Sequence, residues 1–111
     1  MEKDFAFYPT INSRLNYLTA YQVESYNQYG YLTSIPLFDT DQLAANRVYF
    51  DRLLAFALSQ GKSSYSISGS HVVYGGVYDL VTSPQILDLA EDLLGPNFVA
   101  IGAHYFCKLP H

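Results

Sequence analysis

The sequence predicts an α+β fold, with helices through the front of the chain and a strand near its end. Two apolar stripes at helical spacing carry capping residues at both ends, within residues 39–61 and 83–95. Residues 98–107 are apolar on both parities at strand length, the pattern of a strand covered on both faces. The chain has 111 residues, half of them hydrophobic, so it forms one domain or part of one and buries roughly two thirds of its unfolded surface. Charged residues make up only 14%, and 11 Tyr and 7 Phe supply most of the bulky apolar surface, which excludes a disordered tail and a coiled coil.

Residues 1–18 show aromatic and polar positions (Phe5, Phe7, Tyr8, then Pro9) without a sustained period and read as an extended arm. Thr19 and Gln22 have capping-box spacing and Gly30 supplies a left-handed stop, which frames a helix over 20–29 with Val23 and Tyr26 inward. Residues 31–33 read as a short extended piece before Pro36. Asp39, with Gln42 at the reciprocal position and Phe38 set to staple onto Leu43, opens the clearest helix, which Gly61 stops. Leu43, Phe50, Leu53, Leu54 and Ala57 form its packing face, with Asp41, Arg52 and Gln60 toward water. Residues 62–70 have the Ser- and Gly-rich composition of a loop, and 72–74 read as a short strand before Gly75–Gly76.

A third helix opens with Ser83 as cap and Pro84 at the first helical position and closes at Gly95–Pro96. Ile86, Leu87, Ala90, Leu93 and Leu94 form its buried face, and Gln85, Asp88, Glu91 and Asp92 are assigned to solvent. A strand over 98–107 buried on both faces needs neighbours along its edges, and residues 1–96 offer only weak strand candidates. The pattern therefore reads as the front part of a larger domain.

Function classes fall away on charge and length. Six Lys and Arg stand against ten Asp and Glu, a net charge of −4, and the basic residues are scattered singly, so nothing tracks a nucleic-acid backbone. No apolar run reaches the ~20 residues of a membrane-spanning helix. Residues 1–20 lack the pattern of a secretory signal, and the single Cys107 has no partner for an internal disulfide, which points to a reducing, cytoplasmic setting. His71, His104 and His111 are 33 and 7 residues apart, a poor spacing for a metal set, so no metal ligand is assigned. His104 shares strand parity with Ala100 and Gly102, whose small size leaves room beside it, as on a strand facing a cavity. Cys107 reads as a buried structural thiol, Asp88, Glu91 and Asp92 as a solvated face, and Gly75–Gly76 as no phosphate loop. No catalytic residue is assigned. The Tyr content suits a core and its rim, or a surface that binds sugar or protein.

The run Val77-Tyr-Asp-Leu-Val-Thr-Ser-Pro-Gln-Ile-Leu-Asp-Leu-Ala-Glu-Asp-Leu-Leu-Gly-Pro-Asn97, continuing through Phe98 to Lys108-Leu-Pro-His111, resembles the front half of the phytanoyl-CoA dioxygenase family. Upstream, Tyr26-Asn-Gln-Tyr-Gly-Tyr-Leu32 and the helix over 37–54 are similar to that family's opening segment and first long helix, so the resemblance covers about residues 20–111. It implies an iron(II)/2-oxoglutarate-dependent oxygenase on a double-stranded β-helix, a jelly-roll, cupin-like fold, with residues 19–111 the N-terminal portion of one oxygenase domain. Iron in such enzymes sits in a two-His-one-carboxylate triad. The His-x-Asp half of it falls after the Lys-x-Pro segment, and this sequence contains no His-x-Asp. The resemblance thus implies a fragment truncated before the iron-binding motif and inactive by itself, whose full-length parent hydroxylates a small molecule or an acyl thioester. It places His104, and with it His71, at the 2-oxoglutarate pocket of that parent, and gives Lys108 no role beyond an end-of-strand cation. The other reading open to the sequence is a stand-alone, non-catalytic binding or regulatory module that pairs its orphan strand with a partner chain or self-associates through it.

Overall fold

A computed structural model describes residues 9–10, 12–65 and 67–110. In chain order these form α1 (Ala20–Tyr29), α2 (Thr40–Ser59), β1 (Ile67–Ser68), a 3₁₀ turn (Ser70–Val72), α3 (Gly75–Val81), α4 (Pro84–Leu94) and β2 (His104–Tyr105). The class is α+β, with β1 and β2 forming a two-stranded antiparallel sheet; the described residues contain no double-stranded β-helix. Among them, no helix is long and apolar enough to cross a membrane. The chain divides into two compact units, one comprising Met1–Ile35 with Asp88–Phe98, the other Pro36–Leu87 with Val99–His111.

In the first unit, α1 starts because its amides find acceptors within one turn. The Gln22 N–H donates to Thr19 Oγ1 at 3.2 Å, and the Thr19 N–H donates to Gln22 Oε1 at 2.9 Å, a complete capping box. Gly30, at φ 82°, ends the helix and returns its N–H to the Tyr26 carbonyl at 2.7 Å. Residues 9–10 and 12–18 contain no helix or strand, and residues 1–8 and 11 of the expected arm lie outside the described residues. The described part of the arm is tied to the end of α4. Asn12 Nδ2 donates at 2.7 Å to the Glu91 carbonyl, which also accepts the Gly95 N–H, and Thr10 Oγ1 donates at 3.3 Å to that of Leu94, in the last turn, where a helix leaves carbonyls without intrahelical partners.

Asp92 corrects an expectation. Assigned to solvent by the helical pattern, it is 1% exposed, and its carboxylate accepts the backbone N–H groups of Asn16, Tyr17 and Leu18, each at 2.7 Å. Three consecutive amides entering α1 need acceptors, and two carboxylate oxygens on one short side chain supply them.

In the second unit, Asp39 and Gln42 form the expected capping box (2.8 and 3.0 Å), and α2 closes in a Schellman motif. There the Gly61 N–H bonds the Leu58 carbonyl, and the Lys62 N–H bonds that of Ala57 at 3.1 Å. The core is Leu53, Ala57, Ile67 and Val77, with Tyr49, Phe50, Leu54, Tyr74, Ala103 and Tyr105 packed on it. Phe50 and Tyr105 rings lie 5.0 Å apart. Leu43, Leu87 and Leu94, expected on packing faces, are exposed.

Four further expectations are corrected here. Residues 72–74 form no strand: Val72 ends the 3₁₀ turn, and Tyr74 precedes α3, a helix that burial of Val77 on α2 stabilises against the strand preference of a Val-rich segment. Residues 67–68 pair as β1 where loop composition dominates. The expected strand over 98–107 pairs only at His104–Tyr105, and Val99 and Ile101 stand 82% and 95% exposed instead of buried on both faces. Ser83, expected as the cap of α4, turns its hydroxyl back to the Leu80 carbonyl at 2.8 Å, while its own carbonyl accepts the Leu87 N–H.

Candidate functional site

The second unit carries a cleft of about 120 Å³ between the C-terminal half of α2 and the β1–3₁₀ segment. Its apolar wall comes from the core itself: Leu53 and Ala57 on α2 and Ile67 on β1. Gln60, Lys62, Ser68, Ser70 and Tyr74 supply its polar groups. Each is held by local geometry. The Schellman motif directs the chain so that Lys62 follows α2 at the mouth. Pairing of Ile67 with Tyr105 and of Ser68 with His104 places Ser68, and Gly69 (φ 64°) donates its N–H to the Ala103 carbonyl at 2.9 Å before the chain turns into Ser70. One ammonium, hydroxyls, the Gln60 amide and an apolar wall give a surface suited to binding a small ligand.

His104 and His71 sit beside this cleft in the chain but do not line it. His104 is exposed on β2, its ring 4.1 Å from that of Phe106, and the opposite parity, Ala103 and Tyr105, packs on the core. His71 lies in the 3₁₀ turn, half-buried, with Nδ1 buried and without a hydrogen-bond partner among the described residues. The sheet register brings their two segments side by side, since Ser68 faces His104 and Gly69 bonds Ala103. Burial, then the neighbouring Tyr49 phenol, raises the pKa of Tyr105 above its ordinary 10.0, so its hydroxyl stays protonated into alkaline solution.

Of the remaining candidates, Cys107 is half-buried and Lys108 exposed, while His111 lies outside the described residues. Asp88 is exposed and Asp92 is occupied by amides. Gly75 and Gly76 open α3, and a Cβ on Gly76 would run into the Tyr49 ring, so the glycine permits close packing of α3 on α2. Among the described residues, no three His, Cys, Asp or Glu side chains are grouped to hold a metal ion. The cleft residues Lys62, Ser68 and Ser70 escape a reading of sequence because they fall in a stretch whose composition says only loop.

No family model, curated protein or solved structure matches this chain.

Proposed function

We propose that the chain is the helical front of an iron(II)/2-oxoglutarate-dependent oxygenase domain of the phytanoyl-CoA dioxygenase type, working in the cytoplasm on a small molecule or acyl thioester. The motif run from Val77 to His111 suggests this reading, and one structural observation supports it. After α4 the chain enters an apolar segment whose ladder among the described residues is with β1 alone, leaving Val99, Ile101, Phe106 and Leu109 exposed as a first strand does before the rest of its sheet is added. In the complete β-helix that segment would be covered on both faces, and His104 and His71 would stand at the 2-oxoglutarate pocket. The residues present do not fit the iron, because the sequence lacks His-x-Asp and the described residues offer no cluster of three donors. No catalytic step is therefore assigned to this chain, which in this reading is inactive by itself.

The test is to sequence the native transcript beyond the codon for His111. A reading frame that continues into His-x-Asp, and later into a distal His and an Arg, is the expected result. A stop codon directly after His111 would overturn the proposal. It would leave the second reading, a non-catalytic module that adds a partner's strand to the same uncovered segment, which the exposure of Ile101 also favours.

A further inference from the structure

The first unit presents a tyrosine-lined concavity that the oxygenase reading does not use. The α1 helix buries none of its residues, and Tyr21, Tyr29 and Tyr31 stand 79%, 63% and 63% exposed. With Gln22, Ser25 and Thr33, and with Leu32 and Ile35 as aliphatic lining, they form a hollow of about 320 Å³ between α1 and the irregular segment after Gly30. Among the described residues, no charged side chain lines it. Tyr29 also borders a neighbouring depression with Asn27 and Gln28, so the uncharged, aromatic surface continues around the helix end.

Its chemistry specifies what would occupy it. Phenol rings offer a flat apolar face and a hydroxyl edge at little entropic cost. Gln22 Oε1 is engaged by the Thr19 N–H, which leaves its amide NH₂ as a donor, and Ser25 and Thr33 both donate and accept. An anion or cation would find no counter-charge here, and a purely aliphatic ligand would leave the polar groups unpaired. A sugar ring matches on both counts, with C–H faces to stack on tyrosine and hydroxyls to exchange hydrogen bonds, and without charge. We propose that this face of α1 binds a neutral carbohydrate, independently of the reading given for the rest of the chain.

Saturation-transfer NMR of the full 111-residue chain with maltotriose, cellotriose, chitotriose and mannotriose tests the assignment. The expected result is transfer from at least one trisaccharide, with amide shifts confined to residues 20–35. Tyr29→Ala and Tyr31→Ala should each weaken that binding about tenfold. Tyr29→Phe, which keeps the ring and the fold, should retain most of it, and Tyr78→Ala, an exposed tyrosine of the other unit, should change nothing. Transfer from none of the four, or equal loss in Tyr78→Ala, would overturn the proposal. So would concentration-dependent broadening of residues 20–35 that Tyr29→Ala abolishes while sugars have no effect, which would assign the face to contact between protein chains.

Discussion

The Asp92 carboxylate does in one residue what a length of sheet does elsewhere, giving three consecutive backbone donors an acceptor where no strand or helix supplies one. Truncation would remove the acceptor from two part-buried amides and from that of Leu18, which is itself buried. Asp92→Ala should therefore destabilise the protein by about 3 kcal/mol, a large share of the stability of a small domain. Asp92→Asn, which keeps the shape and one oxygen but turns an NH₂ toward the amides, should cost less. Denaturant unfolding of the two variants, with hydrogen exchange at residues 16–18, checks both. Unchanged protection at those three amides in Asp92→Ala would show that the carboxylate does not hold the segment.

Among the elements, α3 is the one that only packing explains. Its first turn carries two adjacent glycines with opposite surroundings: nothing lies within 4 Å of a Cβ placed on Gly75, whereas one on Gly76 meets the Tyr49 ring of α2. Gly75→Ala should leave stability unchanged or raise it slightly through helix propensity, a gain of at most about 1 kcal/mol. Gly76→Ala should lower it by about 1–3 kcal/mol, because the half-buried Tyr49 must leave its place over the core. Thermal unfolding of the pair reads the difference directly. Equal midpoints would mean that the Tyr49 ring swings aside without cost and that the close approach is incidental.

For the whole molecule, the decisive feature is how little covers residues 98–109. Val99, Ile101, Phe106 and Leu109 are exposed along one short segment, and among the described residues β2 has a single neighbouring strand. An apolar segment with an open edge is a template for another strand, whether the continuation of the same sheet or a second chain. The isolated chain should consequently self-associate with rising concentration, and Ile101→Lys should suppress this, since a charge on an edge blocks strand addition. Sedimentation of both proteins across a concentration range provides the check. A wild-type chain that stays monomeric throughout would show that the segment is protected by itself.

The sequence alone determined the features whose physical causes lie within three or four residues. Thr19 with Gln22 and Asp39 with Gln42 close their capping boxes locally, and Gly30, Gly61 and Gly95 adopt the positive φ that ends each helix, so α1, α2 and α4 are legible from spacing and residue type. Tertiary structure decided whatever depends on a distant partner. Asp92 reads as solvated until amides 74 to 76 residues earlier in the chain claim it. Residues 67–68 read as loop until residues 104–105 pair with them, and the same pairing turns Ala103 and Tyr105 inward and His104 outward. The cleft hydroxyls of Ser68 and Ser70 are brought by that route to Lys62, which the local turn at the end of α2 places. Composition and period report average preferences along the chain, whereas hydrogen-bond satisfaction and close packing are settled between segments that only the fold brings together.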